Sequence, residues 1–291
     1  MPKNTKRAIH LVLLAIITPL VIVGLLKWQE GGVNGGQKYA EPFRIAGNLY
    51  YVGANDVTSF LIAGPQGHIL IDGGYPGEAK MITASIAKLG FNIRDVKILL
   101  NSEHHYDHAG GLAELQKASG AQLWASEPSA DAITSGGYDR SLPFPRRLIT
   151  GMFQYARPRV DHVFRDGDTI RVGSIAITAH LTPGHTRGCT SYSFPVRDGD
   201  RVLQVVSACS LIVMEVGQYP GYKADFERTF RVLRSIPADI WVTSHGRPFG
   251  RYRKFAARAT ATNPTDPFID PAGYRAYIDS GEASFRRGRM H

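Results

Sequence analysis

The segment Asn101-Ser102-Glu103-His104-His105-Tyr106-Asp107-His108-Ala109-Gly110-Gly111 decides how this chain folds and what it can bind. It follows Val96-Lys97-Ile98-Leu99-Leu100, a short, apolar and partly β-branched run that is typical of a buried strand. Gly110 and Gly111 then indicate the start of a helix. Functional side chains often occupy loops at the ends of rigid elements, so this junction is a candidate site.

Four candidate metal ligands occur within six positions of that segment: Glu103, His105, Asp107 and His108. Neutral imidazole and ionised carboxylate are ligands that zinc accepts. Side-chain alternation along an extended chain would turn Glu103, His105 and Asp107 to one side and His104 away. A turn at Asp107-His108 would bring the next imidazole to a second ion. The pattern predicts a zinc site; the alternative is a polar surface loop.

Two further histidines follow strand-like runs. His185 lies in Leu181-Thr182-Pro183-Gly184-His185-Thr186-Arg187-Gly188, where Pro and Gly predict an exposing turn. His245 lies in Ile240-Trp241-Val242-Thr243-Ser244-His245-Gly246. One histidine after a strand is more often a surface or core residue than a ligand. Three strand ends of this kind together predict a metal site.

These residues resemble the metallo-β-lactamase superfamily, and more narrowly its third subclass of β-lactamases, over most of residues 42–288. The superfamily carries His-x-His-x-Asp-His, and here the first position is Glu103. The narrower resemblance also depends on three segments: Pro42-Phe43-Arg44-Ile45-Ala46-Gly47-Asn48-Leu49-Tyr50-Tyr51-Val52-Gly53, Pro65-Gln66-Gly67-His68-Ile69-Leu70-Ile71-Asp72-Gly73, and Ala224-Asp225-Phe226-Glu227-Arg228.

The resemblance implies two zinc sites. By position, the first comprises Glu103, His105 and His185, and the second comprises Asp107, His108 and His245. One or two zinc ions are expected per chain, with two favoured. Glu103 replaces a neutral imidazole with an anionic carboxylate, which changes the charge and affinity of the first site. Glutamate or glutamine at this position resembles a variant lineage within the subclass.

The expected activity is hydrolysis of the β-lactam amide bond in penicillins, cephalosporins and carbapenems, conferring resistance to these antibiotics. A zinc-bound water that loses its proton near neutral pH would attack the carbonyl carbon, and the metal would polarise the carbonyl. Asp107 would bind zinc and orient the nucleophile. Asp72, at the end of a buried-looking strand, could orient a ligand histidine, although Asp-Gly is also a common turn.

Ser210 favours the lactamase interpretation. In glyoxalase-like and phosphodiesterase-like relatives an Asp at this position bridges both metals, whereas the third subclass of β-lactamases has Ser. Ser210 could hydrogen-bond a substrate carboxylate. The next substrate-facing position, commonly Ser or Thr in that subclass, corresponds here to Ile212.

Three alternatives to a β-lactamase remain open. Another zinc-dependent hydrolase of the superfamily, acting on a lactone or thioester, would use the same ligands. A nucleic-acid-processing relative could use the basic run around Arg247, Arg251, Arg253, Lys254 and Arg258, but an export segment argues against it and no nucleic-acid partner is expected. That run could instead attract a carboxylate-bearing substrate or form a solvated face. A non-catalytic zinc-binding protein is the third alternative.

The chain contains two cysteines, Cys189 and Cys209, both near the predicted site. In an exported protein they are expected to pair as a disulfide. The alternatives are two buried thiols, or Cys209 as a soft zinc ligand, since another subclass uses a Cys close to this position.

The first residues predict an export signal or a retained membrane anchor. Lys3, Lys6 and Arg7 precede a largely apolar run over residues 8–26; a buried N-terminal helix is the alternative. We assign residues 1–27 to this segment, 28–40 to a Gly-rich flexible linker and 41–291 to one folded domain. A periplasmic protein, exported or anchored to the inner membrane and monomeric, is expected.

The remaining pattern predicts an α/β fold. Strand-like runs occupy residues 49–52, 59–63, 69–71, 96–100, 169–172, 175–180, 190–194, 202–206 and 240–243. Ile82, Ile86 and Leu89 follow helical spacing and stop at Gly90, and Phe226, Phe230 and Leu233 mark a later helix. Strands with interspersed helices suggest two mixed sheets sandwiched between helices, the αββα architecture that the resemblance implies.

Overall fold

The computed structural model describes residues 38–288. The predicted signal or anchor and nearly all of the predicted linker lie outside these residues, so their assignment stays a prediction. Twelve strands are described: β1 (Phe43–Ala46), β2 (Leu49–Tyr51), β3 (Phe60–Ile62), β4 (His68–Ile71), β5 (Val96–Leu100), β6 (Gln122–Ser126), β7 (His162–Phe164), β8 (Thr169–Val172), β9 (Ile175–Leu181), β10 (Thr190–Asp198), β11 (Arg201–Ala208) and β12 (Ile240–Thr243).

The strands form two mixed sheets. The first has the order β1-β2-β3-β4-β5-β6-β7, antiparallel from β1 to β4 and parallel from β4 to β7. The second has the order β12-β11-β10-β9-β8, in which only the pair β11 and β12 is parallel. The carboxyl ends of β4, β5 and β6 therefore meet at one edge, where the chain can gather polar side chains.

Side-chain alternation on β4 shows how the layers are made. Ile69 and Ile71 pack into the larger core, together with Ile177 and Val205 of the second sheet. Leu70 points the opposite way, into a second core beneath the helices that cover the first sheet. Successive strand residues face opposite sides of a sheet, so one buried run supplies both cores.

Eight α-helices are described, in chain order: α1 (Ala79–Lys88), α2 (Tyr106–Ala109), α3 (Leu112–Ser119), α4 (Glu127–Thr134), α5 (Arg146–Thr150), α6 (Tyr222–Ser235), α7 (Arg251–Ala257) and α8 (Pro271–Arg286). Two short 3-10 helices cover Ile93–Asp95 and Asp266–Phe268.

The two helices predicted from periodicity are α1 and α6. Ile82 and Ile86 of α1 are fully buried in the second core, and Gly90, with φ +86°, follows the helix where a residue without Cβ is favoured. Phe226, Phe230 and Leu233 of α6 are buried in the larger core. Burying such a side chain contributes roughly 1.5–3 kcal/mol, which explains why apolar spacing located these helices.

The predicted αββα class is confirmed by these two sheets and their flanking helices. All nine predicted strands are present, and β10 and β11 are longer than predicted because they form a paired hairpin that extends beyond the apolar runs. Within residues 38–288, no helix is long and apolar enough to span a membrane.

Candidate metal centre

The loop after β5 is held in place mainly through its backbone. The Ser102 amide donates to Asp72 Oδ1 at 2.7 Å, and the Ser102 hydroxyl donates to Asp72 Oδ2 at 2.7 Å. The Thr190 amide donates to the Ser102 carbonyl at 2.8 Å, and the Tyr192 hydroxyl donates to the Asn101 carbonyl at 2.8 Å. These contacts join the end of β5 to β4 and β10 without using the side chain of Glu103.

Asp72 is the centre of this support. It is buried, has a φ of +65°, and also accepts a hydrogen bond from the side-chain amide of Asn101, Nδ2, at 3.0 Å. Burial raises the pKa of Asp72 to about 6, against the lowering effect of nearby His108. Its Oδ2 atom lies 3.9 Å from His108 Nδ1, which is longer than a hydrogen bond. Asp72 therefore supports the loop backbone instead of bonding directly to that imidazole.

Glu103, His105 and His185 form the first candidate ligand group. Glu103 Oε2 lies 2.7 Å from His105 Nδ1 and 2.8 Å from His185 Nε2. The Glu103 side chain is fully buried, and its Oε2 atom has no hydrogen-bond partner of good geometry in the described chain. Three donor atoms that converge in this way suit one ion.

Asp107, His108 and His245 form the second candidate group. Asp107 Oδ2 lies 3.2 Å from His108 Nε2 and 3.6 Å from His245 Nε2. The donor atoms of each group lie within 4.8 Å of one another. The two groups adjoin, since His108 Nε2 is also 3.8 Å from Glu103 Oε1.

Strand alternation does not explain how Asp107 reaches this group. Asp107 and His108 lie in the first turn of α2, which begins immediately after His105. Helical geometry, not an extended chain, turns Asp107 away from Glu103 and His105. His104 does point away, as predicted: its Nε2 atom lies 3.5 Å from Asp139 Oδ2, and both side chains are largely buried.

Two of the imidazoles are oriented by acceptors on their second nitrogen. His185 Nδ1 lies 2.6 Å from the Ile212 carbonyl, and His245 Nδ1 lies 3.2 Å from Asp56 Oδ2. Such acceptors fix the tautomer of a ligand histidine and raise its basicity. Sequence reasoning did not identify Asp56, because only the fold brings it beside His245.

The centre has the electrostatics of a cation site. Burial alone would raise the pKa of Glu103, but His185 and His108 outweigh that effect and hold it well below its usual range. The pKa of Asp107 is lowered in the same way, by His108 and His245, against burial. Burial would lower the pKa of His108, yet Asp107 and Glu103 raise it to about 10. Two ionised, buried carboxylates thus demand positive charge here.

The residues fit zinc. Each group offers imidazole nitrogen and carboxylate oxygen, the donor types that zinc binds, and three protein ligands leave a position for water or substrate. The unpartnered Glu103 Oε2 atom is a buried acceptor that an ion would satisfy. The structure thus brings together all six residues predicted as ligands, in the predicted two groups.

Cys189 and Cys209 form the predicted disulfide, and both residues are buried. The alternatives of two free thiols and of Cys209 as a zinc ligand do not describe this structure, whose described residues include no free cysteine. Cys209 Sγ lies 3.9 Å from Glu103 Oε1, so the bridge packs directly behind the first ligand group.

A cavity of about 410 Å³, which we call the metal cavity, opens over both ligand groups. Its walls are mostly apolar and include Tyr75, Tyr106, Phe153 and Ile149. Tyr75 stacks edge-on against Tyr106 at 5.2 Å between ring centroids, so both tyrosines pack and also line the cavity. Ser210 and Ile212 complete the wall.

The basic run after His245 is not one solvated face. Arg251 and Lys254 are buried, and each has a polar partner: Arg251 donates to Asn55 Oδ1 at 2.9 Å, and Lys254 pairs with Asp270 at 2.9 Å. Arg258 stacks over Phe43 and Phe255. The interpretation as a solvated face is wrong for these residues, whereas Arg247 and Arg253 remain exposed.

Solved structures with the same fold include several β-lactamases. FEZ-1 from Legionella gormanii is 35% identical, with 87% of this chain and 96% of that chain aligned and a TM-score of 0.81. BJP-1 from Bradyrhizobium japonicum, a subclass B3 enzyme, is 32% identical over 88% and 96%, with a TM-score of 0.80. LRA-12 from an Alaskan soil metagenome, described as a class B3 di-zinc enzyme, is 32% identical over 88% and 97%, also with a TM-score of 0.80.

Curated relatives carry another activity in their names. The hydroxyacylglutathione hydrolase of Jannaschia sp. (strain CCS1) is 27% identical over 188 residues. The match covers 64% of this chain and 61% of that relative. The chain thus aligns with less than two thirds of the length of this relative.

A family model described as the metallo-beta-lactamase superfamily matches residues 52–201, which include β3 to β10 and the loop that carries Glu103 and Asp107. Together with the shared fold of the B3 enzymes and the two converging ligand groups, this match identifies the chain as a hydrolase that belongs to the metallo-beta-lactamase superfamily.

Proposed function

We propose that this protein is a zinc-dependent β-lactamase that opens the amide bond of penicillins, cephalosporins and carbapenems and so confers resistance to them. The observation that carries the proposal is the position of Ser210 in the wall of the metal cavity. Among the described residues, Glu103 and Asp107 supply the carboxylates of the two ligand groups, and no third carboxylate joins these groups. The similarity to B3 enzymes over nearly nine tenths of the chain supports the same substrate class.

The chain's own residues suit the hydrolysis of an amide in this cavity. Zinc ions held by the two groups would polarise the carbonyl and make water a better nucleophile near neutral pH. Asp107 is ionised at neutral pH, since its pKa lies below the usual range, and its carboxylate can accept a hydrogen bond from the attacking water. We assign Asp107 this orienting role.

Ser210 and the apolar wall would bind the substrate. The Ser210 hydroxyl oxygen accepts from the Ile212 amide at 3.2 Å, which leaves its proton free to be donated to a substrate oxygen. Tyr106, Ile149 and Phe153 would cover the apolar side groups of a lactam and exclude water from the reacting bond.

Hydrolysis of a hydroxyacylglutathione thioester is the second candidate function. The names of the curated relatives favour it, and a thioester carbonyl could meet the same metal groups. Ser210 argues against it, because the glyoxalase-like pattern places a metal-bridging Asp there. Hydrolysis of a lactone by the same ligand groups is the remaining alternative for a small substrate.

The proposal places the enzyme in the periplasm, as a monomer that is either exported or anchored to the inner membrane. The charged and then apolar order of residues 1–27 supports export. The disulfide is consistent with an oxidising compartment.

The test is hydrolysis of a penicillin, a cephalosporin, a carbapenem and a hydroxyacylglutathione by the purified protein. Each rate is measured before chelation, after chelation and after zinc is restored, while bound zinc is counted. We expect lactam turnover that chelation abolishes and zinc restores, and a raised lactam tolerance in a host that expresses the gene.

Thioester turnover without lactam turnover would replace the proposal with the second candidate. Zinc binding with neither activity would leave a non-catalytic zinc protein or a hydrolase of other substrates, and the β-lactamase proposal would fail.

A further inference from the structure

A second cavity, of about 500 Å³, adjoins the metal cavity. It lies between α8, the start of α7 and the loop after β11, and we call it the helix cavity. Ser210, Ile212 and His245 line both cavities, so these three residues form the partition between them. A ligand bound at the metal groups could therefore extend past Ser210 into the helix cavity.

The helix cavity carries one unneutralised cation. Asp270 is the sole carboxylate among the described residues that line it, and Lys254 pairs with Asp270 at 2.9 Å. Asp270 Oδ2 also accepts from Trp241 Nε1 at 3.3 Å. Arg253 lines the same cavity, is exposed, and has no carboxylate partner within residues 38–288. An anion that enters would meet Arg253 as its counter-charge.

Two serine hydroxyl groups of this cavity suit an anion as donors. Ser280 contributes one to the lining, beside the aromatic wall of Trp241, whereas the Tyr277 hydroxyl donates to the Cys209 carbonyl at 3.5 Å. Ser210 retains a hydroxyl proton at the partition, as described above. Charge-assisted hydrogen bonds from Arg to a carboxylate are among the stronger polar contacts in proteins.

On the side of the metal cavity, the partition offers few groups that can bind an anion. Ile212 is 38% exposed, and its side chain presents only carbon where a hydroxyl would serve a carboxylate. The Ile212 carbonyl is already directed at His185 Nδ1, which fixes the position of this residue. Apart from the ligand groups themselves, the partition therefore offers a carboxylate in the metal cavity only the Ser210 hydroxyl, whereas the helix cavity adds Arg253.

We propose that the helix cavity binds the carboxylate-bearing part of the substrate through Arg253, while the bond to be hydrolysed lies in the metal cavity. This inference deepens the proposed function and depends on it for the identity of the substrate. It makes Arg253 a specificity-determining residue, and it assigns a role to the one cation of the basic run that is exposed within a cavity.

The test uses the zinc-loaded full chain and an unstrained γ-lactam carboxylate, which should bind without being hydrolysed, together with its methyl ester. Dissociation constants are measured by titration calorimetry at low and high salt. For Arg253→Gln we expect binding of the acid to weaken about tenfold and binding of the ester to change less than twofold. Arg253→Lys should restore most of the affinity for the acid.

Arg231→Gln is the matched control, because this substitution removes the same charge at a residue that is exposed on α6 and lines neither cavity. It should bind both probes as the unmodified protein does. Equal weakening of acid and ester by Arg253→Gln, or no weakening of either, would overturn the inference.

A kinetic measurement separates this inference from the proposed function. With a hydrolysable lactam and its ester, Arg253→Gln should raise KM for the acid about tenfold and leave kcat within twofold. If the unmodified protein hydrolyses no lactam, the proposed function fails, while the difference between acid and ester in the binding experiment still decides the role of Arg253.

Discussion

Glu103 combines two properties that rarely occur in one side chain, namely ionisation and full burial. It is an ionised carboxylate in a fully buried position, and two imidazole nitrogens lie within 2.8 Å of one of its oxygens. Isolated buried charge is costly, so such a carboxylate persists only where positive charge compensates it. Protonated histidine can supply that charge without metal, and zinc can supply it in the loaded protein.

We expect Glu103→Ala to lower bound zinc, because the first group would lose its anionic ligand. The zinc content should fall by about one ion per chain if the protein binds two, measured by atomic emission after gel filtration. His162→Ala is the control, since His162 of β7 packs on Trp124 of β6 and contributes to neither ligand group. An unchanged zinc stoichiometry in Glu103→Ala would refute its assignment as a ligand.

Asp56 should matter for metal affinity although it contacts no metal in our assignment. Its carboxylate orients His245 through the contact at 3.2 Å, so Asp56→Ala should weaken zinc binding about tenfold. Competition with a chromophoric chelator measures the affinity. Asp200→Ala, in an exposed turn, should have no effect. Equal affinities of both variants would show that the contact does not tune the site.

Glu78 should make stability depend on pH. Burial raises its pKa to about 7, its Oε2 atom accepts from the Tyr75 amide, and its Oε1 atom has no hydrogen-bond partner among the described residues. The unfolded chain releases this proton near pH 4.5 and the folded chain near pH 7, so the protein loses stability as pH rises through that window.

We therefore compare the free energy of unfolding of Glu78→Gln with that of the unmodified protein at pH 5 and at pH 8. The difference should shift in favour of the variant by about 1 kcal/mol between these pH values, after an allowance for partial solvent screening. Urea unfolding at both pH values measures the difference. Glu114→Gln, at an exposed position of α3, is the control. A stability difference that does not change with pH would contradict the raised pKa of Glu78.

Residue identity predicted the two candidate ligand groups better than it predicted the residues that support them. Glu103, His105, Asp107 and His108 occur within six positions of the sequence, so their density was visible before any fold was known. Asp56 and Asp139 act across long sequence separations, on His245 and His104 respectively, and an isolated aspartate in a loop carries no signal of its partner. Their roles follow only from the three-dimensional arrangement.

At the scale of elements, helix α6 shows how packing is divided between two faces. Phe226, Phe230 and Leu233 lie in the core, while Arg231 on the same helix is exposed. Apolar periodicity therefore predicted this helix correctly. It did not predict α4, α5, α7, α8, β1, β6 or β7, most of which are short or carry many polar residues, so that tertiary contacts decide their conformation.

Phe230→Ala should lower the free energy of unfolding by about 3–5 kcal/mol, because it removes a fully buried ring that packs against Phe226 and Phe285. Chemical denaturation measures the loss. Arg231→Ala, one residue further along the same helix, should change stability by less than about 0.5 kcal/mol. Similar losses for the two variants would show that α6 does not bury the face described.

At the scale of the whole molecule, each ligand group joins the two sheets. Glu103 and His105 follow a strand of the first sheet, whereas His185 follows β9 of the second. Asp107 and His108 lie in α2, which follows the same strand of the first sheet, whereas His245 follows β12 of the second. Neither sheet alone supplies a complete group, so a bound ion would connect the two layers.

Removing zinc should therefore lower the thermal stability of the whole domain. A ligand present at 100 times its dissociation constant adds about 2.7 kcal/mol, which corresponds to a rise in Tm of roughly 5–10 °C for a chain of this size. Calorimetry before chelation, after chelation and after zinc is restored measures the change. The variant His185→Ala/His245→Ala should show little response, and an equal response in it would place the ions elsewhere.

The backbone support around Ser102 has a consequence for how such a protein can change over generations. Hydrogen bonds that Asp72 accepts and that Thr190 and Tyr192 donate hold the loop by its main chain and by Ser102, and none of them involves the side chain at position 103. A mutation at that position can alter the preferred ion while the loop keeps its path. Natural selection could thus adjust metal preference at this position without first having to rebuild the scaffold.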